Sequence, residues 1–124
     1  MRTSLILLFA LFFTTMSTVF AQNIQKERFE SVDNATFKEA LASEEFILLD
    51  IRTVEEYENG HIDGAKLVEY NDGDIDATLK LMPKDHKYLV YCGVGVRSKV
   101  AMKKMEELGF KYVLELDKGL EEWE

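Results

Sequence analysis

Two short segments restrict the fold of this chain more than any other feature of its sequence. Residues 46–51 and residues 87–91 are largely apolar without a polar residue at every second position, and each has the length of one strand. Such runs are typical of strands that are buried on both faces of a parallel sheet. Helical patterns lie between and around them, and this alternation predicts an α/β fold with a mostly parallel sheet.

Capping residues and glycines mark the ends of the remaining elements. Asp33 or Asn34 is suited to cap a first helix. The spacing from Thr53 to Glu56 is that of a capping box, and Gly60 is suited to end the short helix that follows. The other predicted elements are a strand at 65–68, a helix at 74–81, a helix at 98–108 with Val100, Ala101, Met105 and Leu108 on its inner side, and a strand at 112–116.

The first 21 residues have the pattern of a secretory signal peptide. Arg2 gives a basic start, and the apolar run from Leu5 to Phe13 is shorter than the roughly 20 residues that a membrane-spanning helix needs. We expect export to a periplasm or out of the cell, with no membrane segment left after cleavage; an uncleaved N-terminal anchor is the alternative. The expected division is a signal peptide at 1–21 cleaved after Ala21, a flexible lead-in at 22–28 and one domain at 29–124.

The charge of the remaining chain excludes several classes of partner. After cleavage, 14 Lys and Arg stand against 23 Asp and Glu, a formal charge of −9. An acidic domain without a cluster of Lys and Arg is poorly suited to bind nucleic acid. No group of His, Cys, Asp and Glu has the spacing of metal ligands, so we expect no metal. We also expect no cofactor and a monomeric protein.

Cys92 is the only cysteine of the chain, so it cannot form an internal disulfide. It is therefore either a buried apolar residue or a reactive thiol. It follows the strand predicted at 87–91 directly, and active sites of open α/β sheets lie at the carboxyl ends of the strands. Its position favours the reactive thiol.

The loop that begins at this cysteine combines a nucleophile with backbone donors. Gly93 and Gly95 permit the positive φ angles with which successive N–H groups turn inward and form a nest for an anion. The helix predicted from Ser98 adds the partial positive charge of its N-terminus, and a thiol at the rim of this nest should have a lowered pKa. The alternative is a core cysteine followed by an ordinary turn. The six loop residues are Cys92, Gly93, Val94, Gly95, Val96 and Arg97.

These motifs resemble the signatures of the rhodanese-like domain family, in the form of a single exported domain. Residues 49–57 followed by 60–65 are similar to the first signature of that family. Residues 109–113 and 117–123 are similar to its closing signature. The resemblance extends from about Phe29 to Trp123.

The resemblance implies a rhodanese-like, five-stranded, mostly parallel sheet flanked by helices on both faces, with a first strand at 29–32. It also implies a sulfurtransferase in which Cys92 takes a sulfane sulfur from thiosulfate or a persulfide and carries it as a persulfide. The acceptor would be cyanide, a small thiol or a thiol-bearing protein. Gly93, Val94, Gly95, Val96 and Arg97 would surround the terminal sulfur, and Asp50 and Arg52 would support the loop through ion pairs and hydrogen bonds.

Two other functions stay open. One is a rhodanese-like module that binds a partner or senses oxidants without turnover. The other is a phosphatase or an arsenate reductase, but such relatives have a loop one residue longer than this one, and the chain has no second cysteine to resolve an oxidised first one.

The last predictions concern the net charge, two acidic residues and the two histidines. The net charge predicts that thiosulfate, a dianion, is a poorer donor than a neutral or protein-bound persulfide. Glu55 and Glu56 are explained by the preference for acidic residues at a helix N-terminus. His61 is predicted to satisfy a buried backbone group, and His86 is predicted to face solvent.

Overall fold

A parallel sheet organises the structure, a computed structural model that describes residues 26–70 and 75–124. Its strands are β1 (Arg28–Val32), β2 (Phe46–Asp50), β3 (Lys66–Leu67), β4 (Lys87–Tyr91) and β5 (Tyr112–Leu116). They lie in the order β1-β5-β4-β2-β3, and every neighbouring pair is parallel. The predicted α/β fold with five strands is confirmed. Because β4 is the central strand, the residue that follows it lies at the middle of the carboxyl edge.

Helices connect the strands in the described part of the chain, and the first two begin at the caps that the sequence predicts. The helices are α1 (Asn34–Ala42), α2 (Val54–Glu58), α3 (Ile75–Leu81), α4 (Val96–Glu107) and a 3₁₀ helix (Leu120–Glu122). The Asp33 carboxylate accepts from the Thr36 N–H at 2.8 Å, and the Thr53 hydroxyl accepts from the Glu56 N–H at 3.1 Å. Within the described ranges, no helix has the length and apolarity needed to cross a bilayer.

Two of the sequence predictions lie outside the described residues. These are the signal peptide predicted at 1–21 and the helix start predicted at residue 74. The lead-in at 22–28 is described only from residue 26, and β1 begins at Arg28.

Helix α4 differs from its prediction in where it begins. It starts at Val96 rather than at Ser98, because Gly95 adopts φ 88° and occupies the N-cap position. In this register Ala101 and Met105 are buried against the sheet, and Val100 is 39% exposed, so its predicted inward orientation is wrong. The predicted positive φ is found at Gly95 and not at Gly93.

The core has two halves, one on each face of the sheet, because side chains alternate along a strand. Tyr88, Val90 and Cys92 belong to the half that α3 and α4 cover. Leu89 and Tyr91 belong to the half that α1 covers. Helices therefore flank both faces, as predicted, and the alternation places the Cys92 side chain on the face of α4.

Candidate active site

Cys92 lies at the end of β4 and is completely buried. Its carbonyl accepts from the Leu120 N–H at 2.9 Å, and the Gly93 carbonyl accepts from the Glu121 N–H at 3.0 Å. The segment 117–123, called the closing segment here, therefore holds the start of the loop through these two hydrogen bonds. The prediction that the thiol lies at the rim of the loop is wrong, since the loop and the beginning of α4 enclose the sulfur.

The sulfur lies among converging hydrogen-bond donors. The N–H groups of Gly95 and Ser98 point at Sγ, with N–S distances of 3.2 and 3.3 Å, and Ser98 Oγ lies 3.4 Å away. Burial raises the pKa of the Cys92 thiol, but the bonds from Ser98, Gly95 and Val94 together outweigh burial and bring the pKa below its ordinary value. The pKa of Cys92 is thus shifted in the direction that the loop pattern predicts, because the loop donors stabilise the thiolate form.

The other loop residues have different surroundings. Val94 and Val96 are 55% and 66% exposed and form an apolar border around the loop. Gly93 uses its carbonyl to fix the closing segment. The binding of a terminal sulfur by residues 93–97 stays a prediction.

Arg97 is paired with an acidic side chain from another element. Its guanidinium donates to both carboxylate oxygens of Glu56, at 2.8 and 2.9 Å. The hydrogen bonds from Arg97 lower the pKa of Glu56 to about 2. The guanidinium lies over the loop, since a Cβ built on Gly93 would be 3.3 Å from Nη2. The only charged side chain of the loop is therefore neutralised before any substrate binds.

Asp50 and Arg52 form a buried ion pair beside the loop. Arg52 donates to Asp50 through Nε at 3.0 Å and through Nη2 at 2.7 Å. Arg52 Nη2 also donates to the Gly60 carbonyl at 2.7 Å, and the Tyr91 hydroxyl donates to Asp50 at 2.7 Å. These bonds fix the segment at Gly60 against β2 and β4. Through Tyr91, the residue before Cys92, they extend to the start of the loop, and the support of the loop by Asp50 and Arg52 stays a prediction.

Removal of the Asp50 carboxylate should destabilise the fold strongly. Asp50→Ala leaves the Arg52 guanidinium buried without its counter-ion, which typically costs about 3–5 kcal/mol. Glu45→Ala is the control, because Glu45 pairs with Lys87 at the surface and such pairs contribute about 0–1 kcal/mol. Urea unfolding of both variants measures the difference. Equal losses of stability would contradict this account.

An open groove borders the loop, with a volume of about 710 Å³. Glu56 and Leu120 line it, and each is bonded to a loop residue. His61 lines it too, and its Nδ1 is 2.8 Å from the Tyr57 carbonyl oxygen. His61 thus contacts a backbone group as predicted, but from an exposed position. His86 is exposed, as predicted.

Two residues near the sulfur were not among the predicted site residues. Ser98 contacts Sγ through both its N–H and its hydroxyl, although its sequence position indicates only a helix start. Glu115 is completely buried and accepts from the Ser98 hydroxyl at 2.6 Å. The available signal was a single carboxylate inside the apolar strand 112–116. Among the described residues, no group of three or more His, Cys, Asp and Glu side chains could hold a metal ion.

Comparison with known proteins agrees with this geometry. YtwF of Bacillus subtilis, named "Putative sulfurtransferase YtwF", is 35% identical over 96 residues that cover 77% of this chain and 90% of YtwF. YrkF of the same bacterium, named "Putative sulfur carrier protein YrkF", is 32% identical over 88 residues that cover 70% of this chain. This chain spans only 46% of YrkF.

A solved structure shows the same fold. The crystal structure of a rhodanese-like domain protein from Staphylococcus aureus matches with a TM-score of 0.66 and 27% identity, over 77% of this chain and 91% of that one. The rhodanese-like domain family itself matches residues 33–124. The family match and the cysteine loop at the carboxyl end of the central strand agree. This chain belongs to the rhodanese-like domain family.

Proposed function

We propose that this protein is a sulfurtransferase in which Cys92 carries a sulfane sulfur as a persulfide. The observation that carries the proposal is the single sulfur at the carboxyl end of the central strand, surrounded by N–H groups of its own loop. The relative named as a sulfurtransferase, which aligns over most of both chains, supports the same chemistry.

The transfer would take place in two displacements. The Cys92 thiolate attacks the outer sulfur of a donor R–S–SH; a bond forms from Sγ to that sulfur, and the donor S–S bond breaks. Its electron pair leaves on R–S⁻, which takes a proton. An acceptor thiolate then attacks the outer sulfur of the Cys92 persulfide, and the electron pair of that S–S bond returns to Sγ. The Gly95 and Ser98 N–H groups stabilise the thiolate before the first step and after the second.

The burial of Sγ supports sulfane transfer over exchange with disulfides. A completely buried sulfur is approached more easily by a small reacting group than by a bulky one. The outer sulfur of a persulfide or of thiosulfate bears one substituent, whereas both sulfurs of a disulfide bear carbon chains. This difference favours a carrier of sulfane sulfur over a sensor that forms a mixed disulfide.

Intact-protein mass spectrometry tests the proposal. We expect wild-type protein to gain the mass of one sulfur atom on treatment with thiosulfate or cysteine persulfide, and to lose it on addition of cyanide or a thiol. Cys92→Ser is the control and should gain nothing. If neither donor loads the wild type, the sulfurtransferase proposal fails.

A binding module is the second candidate, and the exposure of Val94 and Val96 at the border of the loop favours it. Under this alternative the apolar border would contact a protein partner, and Cys92 would not turn over. The same border would serve a sulfurtransferase whose acceptor thiol is on a protein. Absence of loading, together with a stable protein complex, is the result that favours the binding module.

A further inference from the structure

Glu115 is a buried carboxylate that the proposed sulfur transfer does not use. It lies on β5 between two buried leucines and is completely enclosed. Its Oε1 contacts the Ser31 hydroxyl of β1 and, at 3.1 Å, the Nζ of Lys99 from α4. Its Oε2 accepts from the Ser98 hydroxyl at 2.6 Å. A charge in this position is costly unless such partners hold it.

The Ser98 hydroxyl lies between this carboxylate and the nucleophile. Its oxygen is 2.6 Å from Glu115 Oε2 and 3.4 Å from Cys92 Sγ. A hydroxyl has one proton to donate and two lone pairs that accept. It therefore donates either to the carboxylate or to the sulfur, and not to both. The short bond to the carboxylate places that proton toward Glu115, so Ser98 Oγ is then free to accept from the Cys92 S–H.

Ionisation of both groups at once is unfavourable. Two negative charges joined by one hydroxyl inside the protein repel each other and compete for the same proton. The favoured states hold one proton between them. In one state Cys92 is a thiol and Glu115 a carboxylate. In the other state, both protons have moved toward Glu115. The Sγ–H bond breaks as an Oγ–H bond forms, and the original Oγ–H bond breaks as an Oε2–H bond forms. A thiolate then lies beside a neutral Glu115.

We propose that Cys92 and Glu115 share one proton through the Ser98 hydroxyl, so that Glu115 is a positioning residue that controls the protonation of the nucleophile. This inference rests on the proposed function only in taking Cys92 as the nucleophile. Two cations face the pair, and each also binds a second carboxylate: Lys99 is 3.1 Å from Glu115, and Arg97 interacts with Cys92. Lys99 also contacts Asp117 at 2.9 Å, and Arg97 of α4 is paired with Glu56 of α2.

Alkylation of Cys92 by iodoacetamide across a range of pH tests the coupling without any sulfur transfer. Glu115→Gln removes the competing charge, and its amide can donate to Ser98 Oγ, which leaves the hydroxyl proton for the thiolate. The midpoint of the rate profile should fall by at least about one pH unit, a tenfold faster reaction below both midpoints. Asp117→Asn is the matched control, because it removes a carboxylate that contacts Lys99 but not Ser98; its midpoint should stay unchanged. An unchanged or higher midpoint for Glu115→Gln would overturn the inference.

A second measurement does not depend on the folding of Glu115→Gln. Ser98→Ala keeps the N–H group that donates to Sγ and removes the hydroxyl between the two groups. With a shared proton, this hydroxyl makes two hydrogen bonds while Cys92 is a thiol and only one when both groups are ionised, so its removal should lower the alkylation midpoint of Cys92. A hydroxyl that simply donates to the thiolate would give a higher midpoint in Ser98→Ala. That result would refute the shared proton, whether or not the protein transfers sulfur.

Discussion

Replacement of Gly95 by alanine is expected to lower the rate of sulfur loading at Cys92 by at least about a hundredfold and to destabilise the domain by about 3 kcal/mol. Gly95 has φ 88°, a conformation that L side chains rarely adopt. A Cβ at this position would lie 2.0 Å from the carbonyl oxygen and 2.9 Å from the carbonyl carbon of Asp117. Because these are backbone atoms, the loop itself has to move. Its displacement would take the Gly95 N–H away from Sγ and disrupt the start of α4.

Gly109→Ala is the matched control for this prediction. Gly109 has φ 91°, close to that of Gly95, but no atom lies within 4 Å of the Cβ position. This variant therefore carries the conformational cost alone, about 1 kcal/mol, and should load sulfur at the wild-type rate. Urea unfolding and time-resolved mass spectrometry measure both quantities. If the two variants lose the same stability and both load normally, the collision with Asp117 has no effect on the loop.

Glu56→Gln is expected to lower the KM for thiosulfate by about tenfold or more, with little change for a neutral persulfide. In the wild type, both oxygens of Glu56 are bonded to Arg97, the only cation of the loop. A glutamine removes the charge while keeping the size of the side chain, so the guanidinium becomes available to a dianion. The hydrogen bonds from Arg97 lower the pKa of Glu56 to about 2, and the carboxylate therefore stays ionised at any ordinary assay pH.

The control for Glu56 is its neighbour on the same helix. Glu55 is exposed, and Glu55→Gln changes the net charge by the same amount. If the overall acidity of the domain weakens thiosulfate binding, the two variants should behave alike. If the pair of Glu56 with Arg97 weakens thiosulfate binding, only Glu56→Gln should lower the KM for thiosulfate. Steady-state kinetics at low ionic strength separates these outcomes, because long-range fields are least screened there.

The same pair gives a stability that depends on pH with a defined sign. The pKa of Glu56 is lower in the folded protein than its ordinary value. The contribution of the pair is therefore complete above about pH 4.5 and is lost as the pH falls toward 2. Partial exposure of both side chains limits it to about 1 kcal/mol.

The features that could be predicted from the sequence depend on neighbours along the chain. An unbroken apolar run identifies β4, and the caps at Asp33 and Thr53 act within three residues. The loop at Cys92 is also local, because its donors belong to the same short segment. Each of these signals lies within a short continuous segment. Together they therefore predict both the fold and the nucleophile from the sequence.

The features that could not be predicted join distant segments. Glu56 and Arg97 meet because α2 and α4 begin at the same edge of the sheet, and either residue alone is also explained by its helix. Glu115 contacts Ser98 because β5 lies beside β4, an order that no local pattern specifies. The predicted start of α4 at Ser98 is wrong because Gly95, although its positive φ is predicted, also occupies the N-cap position and has no side chain that marks a helix start.

The closing segment that holds the loop has a consequence for biosynthesis. A ribosome completes Cys92 well before Leu120 and Glu121, whose N–H groups fix the carbonyls of Cys92 and Gly93. β1, at the edge of the sheet, likewise has to wait for β5, its one partner strand among the described residues. Until residues 120 and 121 have been made, the contacts that fix the start of the loop are missing, although its own donors at Gly95 and Ser98 are already present. Under the proposed function, transfer of sulfur would therefore have to wait for these contacts.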